Sequence, residues 1–532
     1  MILALILSLI TTSFAWGEVY YVDPKNSVAS DLNLGTLNLP WKTIQKAAEV
    51  AVAGDTVYVK NSIYRERIEV KNSGTSYERM ITFQALGNNV IIKGSDMVTN
   101  WTLWKDKIWK RENWPVNSQQ VFIDGIPLDQ IGGNRWFSPH RLPAKGKGVD
   151  DLTSGSFYYD EQKKILYVRL KDGGNPNHHV VEASVRPLLF LLRDKNFIKL
   201  SGFKFMHSNT IAFIKTGWPC VSISGNNCII ENNEVSWCDF GGLGATGNSL
   251  IVRNNVSNYN GNSGMGFSGH NIQLESNVTN YNNYRGFNMN WHAGGIKSVQ
   301  LKNSVINHHT AVGNNGPGIW CDGDCDDVTI SAARVYGNSG NGIFYEISKR
   351  GLIINNIVYE NAGNGIYISA SESCKVFNNL LYANKRGLVL HGVPRKGHVL
   401  KNNLAENNIL VDNIEVDIVV ARLVPEVVDN RTDYNLFYQR RGKLQLKFGH
   451  DQIYQSLDNW VSRTGYDTHS VIEDPKFVDV EKHDFHLVIG SPAIGKGNPN
   501  SLVQEDFDGV SRDSTKEDIG PYKFKLNRAQ QQ

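Results

Sequence analysis

The sequence has little cysteine, little proline and almost no imbalance of charge. Its six cysteines in 532 residues (Cys220, Cys228, Cys238, Cys321, Cys325 and Cys374) fit an oxidising compartment but are too few to define a disulfide scaffold. Paired C-x-x-C spacing with added histidines is missing, which removes the usual zinc signature. Lys plus Arg total 55 against 52 Asp plus Glu, a net +3 spread along the chain. That balance argues against a nucleic-acid partner, which needs a basic stripe, and against an acidic disordered tail. Beyond the N-terminus no run approaches the roughly 20 apolar residues of a membrane span, so no transmembrane segment is expected. There are 16 Pro against 49 Gly, with Asn abundant, so the chain turns tightly and mostly without proline.

What is present points to a large folded protein. Apolar residues make up 41% and aromatics 10%, including 12 Trp and 21 Tyr, a composition shared by ordinary β proteins and by sugar-binding clefts. Residues 1–15 form an apolar stretch ending in the small-x-small sequence Ser13-Phe14-Ala15, without a Lys or Arg after Met1. The stretch reads as a signal peptide, and the expected location is secreted or periplasmic.

Internal repetition decides the fold. Between about 220 and 405 an Asn-rich turn, a short β-branched strand and a Gly-led strand recur. The markers Val235, Val256, Val278, Val305, Val335, Val358 and Leu381 are spaced by 21, 22, 27, 30, 23 and 23 residues. A period of 21–23 with three short strands per unit predicts a right-handed parallel β-helix, an all-β solenoid, in which Asn stacks on Asn between coils. The expected divisions are a signal peptide over 1–15, an N-terminal cap and first coils over 18–96, and a small inserted β module over 97–184. The main β-helix follows over 185–410, then C-terminal coils and tail over 411–532. Helical spacing over Trp41–Val52 supplies the N-terminal cap that protects the open strand edge.

Aligning the Gly-led strands gives Gly264–Ser268, Gly286–Asn290, Gly318–Asp322, Gly342–Glu346, Gly365–Ser369 and Gly387–His391. Alternation puts their second and fourth residues inside the coil and their third and fifth outside. The third column reads Gly266, Asn288, Trp320, Phe344, Tyr367, Val389, and the fifth Ser268, Asn290, Asp322, Glu346, Ser369, His391. Asp322 and Glu346 therefore occupy one outer column on adjacent coils. With strands about 4.8 Å apart, their carboxyls should lie roughly 5–6 Å apart. Like charges that close separate into one acid and one base, the arrangement of a retaining glycosidase. Trp320, Phe344 and Tyr367 flank the pair as a sugar platform would. The two long coils carry His292, Lys297, His308 and His309, which with Asn290 are candidate substrate contacts. A competing reading assigns Asp322, Asp324, Asp326 and Asp327 to calcium, although the loop lacks the sixth-position Gly and twelfth-position Glu of an EF-hand. A Cys321–Cys325 disulfide is also possible at this loop.

Tyr20–Asp23, Pro40–Ala47 and Ala53–Val59 resemble the opening of secreted pectin-lyase-like β-helix proteins. Within that superfamily, Gly294–Lys297, Gly318–Asp322 and Gly342–Glu346 are similar to glycoside hydrolase family 120, the β-xylosidases. Gly155–Asp160 and Leu166–Leu170 also resemble an insertion in these hydrolases. The resemblance implies Asp322 as nucleophile and Glu346 as acid/base, acting on an oligo- or polysaccharide without a cofactor. Two alternatives stand beside it. One is a calcium-dependent pectate-type lyase with Lys297 or a histidine as base; the other is a non-catalytic glycan-binding surface protein.

Overall fold

The computed structural model describes residues 17–525 except 133–135, 138–139, 142–144, 211–218, 393–394, 396, 422–427, 500–501 and 513–514. Residues 1–15, where the signal peptide is expected, lie outside the described residues.

The chain winds as a solenoid in which each coil contributes one strand to each of three parallel sheets. Around the site, the first sheet runs through Gly241–Asn248, Ser263–His270, Gly294–Val299, Ile319–Asp322, Ile343–Glu346, Asn364–Ser369 and Arg386–His391. The second includes Leu301–Asn307, Asp326–Ser331 and Leu352–Ile354; the third includes Thr310–Val312, Arg334–Tyr336 and Ile357–Tyr359. Aliphatic residues fill the interior in stacked columns, such as Ile296, Ile319, Ile343, Ile366 and Leu388, each at most 1% exposed. Continuous pairing between coils leaves only the two ends open. At the N-terminal end the helix Ile44–Val50, shorter than the expected span, buries Ile44, Ala47 and Ala48, with Thr43 as its N-cap. At the other end the helix Leu457–Thr464 buries Trp460, whose indole N–H donates to Asp467 at 2.9 Å.

Asparagines line two corners. Carboxamides donate from coil to coil through Asn260, Asn282, Asn314, Asn338, Asn361 and Asn384 at 2.8–3.1 Å. A second ladder runs Asn233–Asn255–Asn277 and resumes as Asn356–Asn379–Asn408–Asn435. Each buried amide also reaches backbone carbonyls, so its desolvation is compensated. Asn255-Val256-Ser257 and Asn277-Val278-Thr279 match the Asn-x-Ser/Thr sequence, but both asparagines lie inside this ladder, at 0% and 1% exposure.

Three of the seven repeat markers sit off the column shared by the others. Val235, Val335, Val358 and Leu381 occupy one inward column, in which the intervening coils present Ser257, Thr279 and Ala311. Val256 and Val278 are one residue earlier in their strands, and Val305 belongs to the second sheet.

Strands between 95 and 184 leave the solenoid and form a five-stranded, a four-stranded and a two-stranded sheet. This unit is fixed by Glu182, 3% exposed, which takes Arg65 at 2.6 Å and Lys93 at 2.7 Å. Its Gln130 accepts from Arg285 at 2.6 Å, and its Gln120 bonds Tyr284. Both partners belong to the loop 281–293, which rises beside the first sheet.

Candidate active site

The first-sheet register places Lys297 against Trp320, Trp320 against Phe344, and Phe344 against Tyr367. Cys321 pairs with Tyr345, which sets Asp322 and Glu346 side by side at the ends of adjacent strands. Gly286–Asn290 is not the strand expected between Ser263–His270 and Ile319–Asp322; that place belongs to Gly294–Val299. Lys297, not Asn288, thus precedes Trp320 in the outer column, and Val299, not Asn290, precedes Asp322. The segment 283–293 instead forms a wall. Asn283 closes it by bonding both backbone groups of Phe287, at 2.6 and 2.8 Å, and Phe287 packs with Phe240, Trp291 and Ala293.

Opposite influences act on the two carboxyls. Lys297 Nζ lies 2.8 Å from Asp322 Oδ2 and 3.4 Å from the Trp320 ring centroid, and it also donates to the Trp291 carbonyl. Asp322 Oδ1 is buried and has no hydrogen-bond partner; the same holds for the Trp320 indole N–H. Such unpaired buried polar atoms are uncommon in folded proteins, and two of them fall on successive outward positions of one strand here. Glu346 is 7% exposed, and burial followed by the nearby Asp322 charge raises its pKa. Arg395, whose Nη2 lies 2.8 Å from Glu346 Oε1, and Lys297 oppose that rise. Burial also depresses Lys297, with Asp322 pulling the other way.

Two cavities lie beside the pair; Glu346 lines one of them and Asp322 neither. One, of about 480 Å³, is floored by Gly244 and Gly266, where the outer column has no side chains, and reaches His292 and Lys297. The other, of about 400 Å³, is lined by Trp320, Phe344, Tyr367 and Glu346, with Asn290 on its wall and Lys385 and Arg386 on its rim.

Trp320, Phe344 and Tyr367 do not form an open platform. They stack on one another, with centroids 4.9 and 4.8 Å apart, and so present edges to the cavity. His292 borders the first cavity; its Nδ1–H donates to Asn262 Oδ1 at 2.6 Å, and burial pushes its pKa down to about 3. His308 and His309 lie elsewhere, at the corner between the second and third sheets. His309 fills an asparagine-ladder slot, 1% exposed, with Nε2 2.8 Å from Thr279 Oγ1. His308 packs against Phe507 of the C-terminal tail.

The acidic loop does not converge. Asp322 is held by Lys297, Asp324 by His398 at 3.1 Å and Asp326 by Arg350 at 2.7 Å, and Asp327 bonds none of them. No group of three or more His, Cys, Asp or Glu side chains arranged to hold a metal occurs among the described residues. Cys321 and Cys325 are both free, buried thiols, and Cys325 Sγ donates to the Asp322 carbonyl at 3.3 Å.

Sequence reasoning missed Arg395, Lys385, Arg386 and the glycine floor. A signal existed for Arg386: it precedes Gly387 as Asn364 precedes Gly365, and the two pair in register. Arg395 lies on a connection outside the repeat and has no such signature.

A family model described as the right handed beta helix region matches residues 289–420, the segment that holds Trp320, Asp322 and Glu346. The fold is a right-handed parallel β-helix. Among solved structures this β-helix is similar to XylC in complex with xylose, with a TM-score of 0.64, 17% identity, and coverage of 95% of this chain and 98% of that one. It is also similar to a glycoside hydrolase, with a TM-score of 0.51, 11% identity, and coverage of 81% and 97%. These likenesses show the fold. In sequence, the uncharacterized protein YwoF of Bacillus subtilis (strain 168) is 40% identical over 82 residues, 15% of this chain. The chain spans only 17% of that relative's length. No helix among the described residues is long and apolar enough to cross a membrane.

Proposed function

We propose that this β-helix is a secreted carbohydrate-active enzyme, a retaining glycoside hydrolase with Asp322 as nucleophile and Glu346 as general acid/base. The observation that carries the reading is the difference in environment between two neighbouring carboxyls. Lys297 neutralises one oxygen of Asp322 and favours its carboxylate form, while the second oxygen makes no hydrogen bond. Burial and the Asp322 charge favour the protonated form of Glu346. This difference in environment supports Glu346 as the acid and Asp322 as the nucleophile.

In the first step Glu346 protonates the glycosidic oxygen as the Asp322 carboxylate bonds to the anomeric carbon and the leaving group departs. In the second, Glu346, now a carboxylate, takes a proton from water that attacks the anomeric carbon, and Asp322 is released. Neighbouring strands about 4.8 Å apart suit the short carboxyl separation of the retaining mechanism. Support also comes from the resemblance of the strands around Asp322 and Glu346 to the β-xylosidase family, and from the fold shared with XylC and a second glycoside hydrolase.

The test is a panel of aryl glycosides with wild type, Asp322→Asn and Glu346→Gln. Expected are loss of turnover in Asp322→Asn and, in Glu346→Gln, a fall of about 10²–10⁴-fold on poor leaving groups, the usual worth of a general acid. Both variants retaining activity would sink the assignment. The depressed pKa of Lys297 favours a second reading, in which Lys297 abstracts a proton beside a uronate carboxylate and β-elimination follows. That reaction forms an ultraviolet-absorbing unsaturated product and releases no aryl alcohol from simple glycosides.

A further inference from the structure

The two cavities differ in charge. On the Asp322 side, the lining of the glycine-floored cavity carries one basic side chain besides His292, Lys297, and Asp322 already pairs with it. Its remaining polar groups are hydroxyls such as Ser222, Thr246 and Ser268, together with His292, which is kept neutral by burial. A neutral sugar suits this side.

On the Glu346 side the balance is positive. Lys385 and Arg386 rim the cavity, and both lean on one carboxylate, Glu415, at 3.5 and 2.9 Å. Arg395 pairs with Glu346. In the working state Glu346 carries the proton it will donate, so Arg395 loses its ionic partner. Around the place where a leaving group must sit, the two cations Lys385 and Arg386 then share the single carboxylate of Glu415. The edges of Phe344 and Tyr367 form the floor beneath it, and Asn341 and Asn364 flank it.

We propose that the leaving-group side of the scissile bond binds a carboxylate-bearing unit, such as a uronic acid residue, with Lys385 and Arg386 as its specificity determinants. The glycone then occupies the glycine-floored cavity beside Asp322. This rests on the hydrolase reading above and adds a direction and a charge preference to it.

The test uses the glycone that the wild type cleaves best as its 4-nitrophenyl glycoside, attached to two matched leaving groups: 4-(carboxymethyl)phenol and its neutral amide. The readout is the ratio of kcat/KM for acid over amide within each protein. For wild type at low salt the ratio should be about five to ten, the effect of one or two half-exposed charge contacts. It should fall toward one in about 0.5 M salt, where the screening length drops to a few ångströms. Arg386→Gln should lower the ratio, Arg386→Glu should bring it below one, and Glu415→Gln should raise it. A wild-type ratio near one, with both compounds hydrolysed, overturns this inference and leaves the hydrolase standing. A high ratio unmoved by all three variants overturns the role of Lys385 and Arg386. No hydrolysis of any aryl glycoside, the nitrophenyl series included, sinks the hydrolase reading and the inference with it.

Discussion

Replacing Arg395 by Gln should move the alkaline limb of the pH–rate profile upward. Glu346 must be protonated to act as acid, so that limb follows its titration. Burial and Asp322 raise its pKa, and Arg395 lowers it from 2.8 Å. At that distance Coulomb's law gives about 1.5 kcal/mol in a water-like dielectric, and about 6 kcal/mol at an effective dielectric of 20. The Arg395 side chain is 55% exposed, so the aqueous value is the ceiling. Exposed pairs in practice contribute about 0.2–1 kcal/mol. At 1.36 kcal/mol per pH unit, this becomes a shift of about 0.2–0.7 unit, with about 1.1 as the limit. The sign is fixed: without the cation the carboxylate form is less favoured, so the proton is held to higher pH. The assay is kcat/KM against pH at constant ionic strength, using a glycoside whose poor leaving group makes protonation necessary. An alkaline limb that stays fixed or moves downward would refute Glu346 as the acid or Arg395 as its partner.

Three further outcomes follow from the same geometry. Lys297→Met should lower kcat by at least about tenfold, since the Asp322 carboxylate then sits partly buried without its cation; unchanged turnover would show that the ion pair is only structural. Asn338→Ala should cost about 2–6 kcal/mol, because it strips a partner from the Asn314 amide and from the Ala311 carbonyl at about 1–3 kcal/mol each, while the Asn361 oxygen keeps the Asn338 backbone N–H. Thermal or denaturant unfolding reads that loss, and a change below about 1 kcal/mol would contradict the ladder's weight. All six thiols are buried, so a thiol reagent should label none in the native protein and all six after denaturation; fast labelling of any one would show that its coil opens.

The solenoid was legible because its determinants are local and repeat: an Asn at each corner, a Gly at each first-sheet entry, and an aliphatic residue two positions on from it or next to it. The carboxylate pair was legible for the same reason, since Asp322 and Glu346 end equivalent strands. Failure came where an insertion breaks the period. Two Gly-led segments, Gly286-Phe287 and Gly295-Ile296, compete for one coil, and the second takes the strand position. The Ile that follows Gly318, Gly342 and Gly365 distinguishes them, and would have put Lys297 in the outer column. The histidines misled because a ladder slot takes any side chain that can bond inward, as His309 does to Thr279. Stacking between Trp320, Phe344 and Tyr367 could be read from the column, but not that their faces are spent on one another.

The wall at 283–293 enters at a corner, and the strands on either side of it remain paired with the coils before and after. Lengthening a corner therefore does not disturb the frame, and the entropic cost of extra loop residues grows only slowly with their number. Mutational change in this protein can thus separate two properties that most enzymes couple. The two carboxyls of the proposed reaction sit on adjacent coils, whereas one wall of the cavities beside them belongs to this loop. Descendants of this chain could acquire new substrates by insertion and deletion at that corner, with Asp322 and Glu346 unchanged and the stacking that supports them undisturbed.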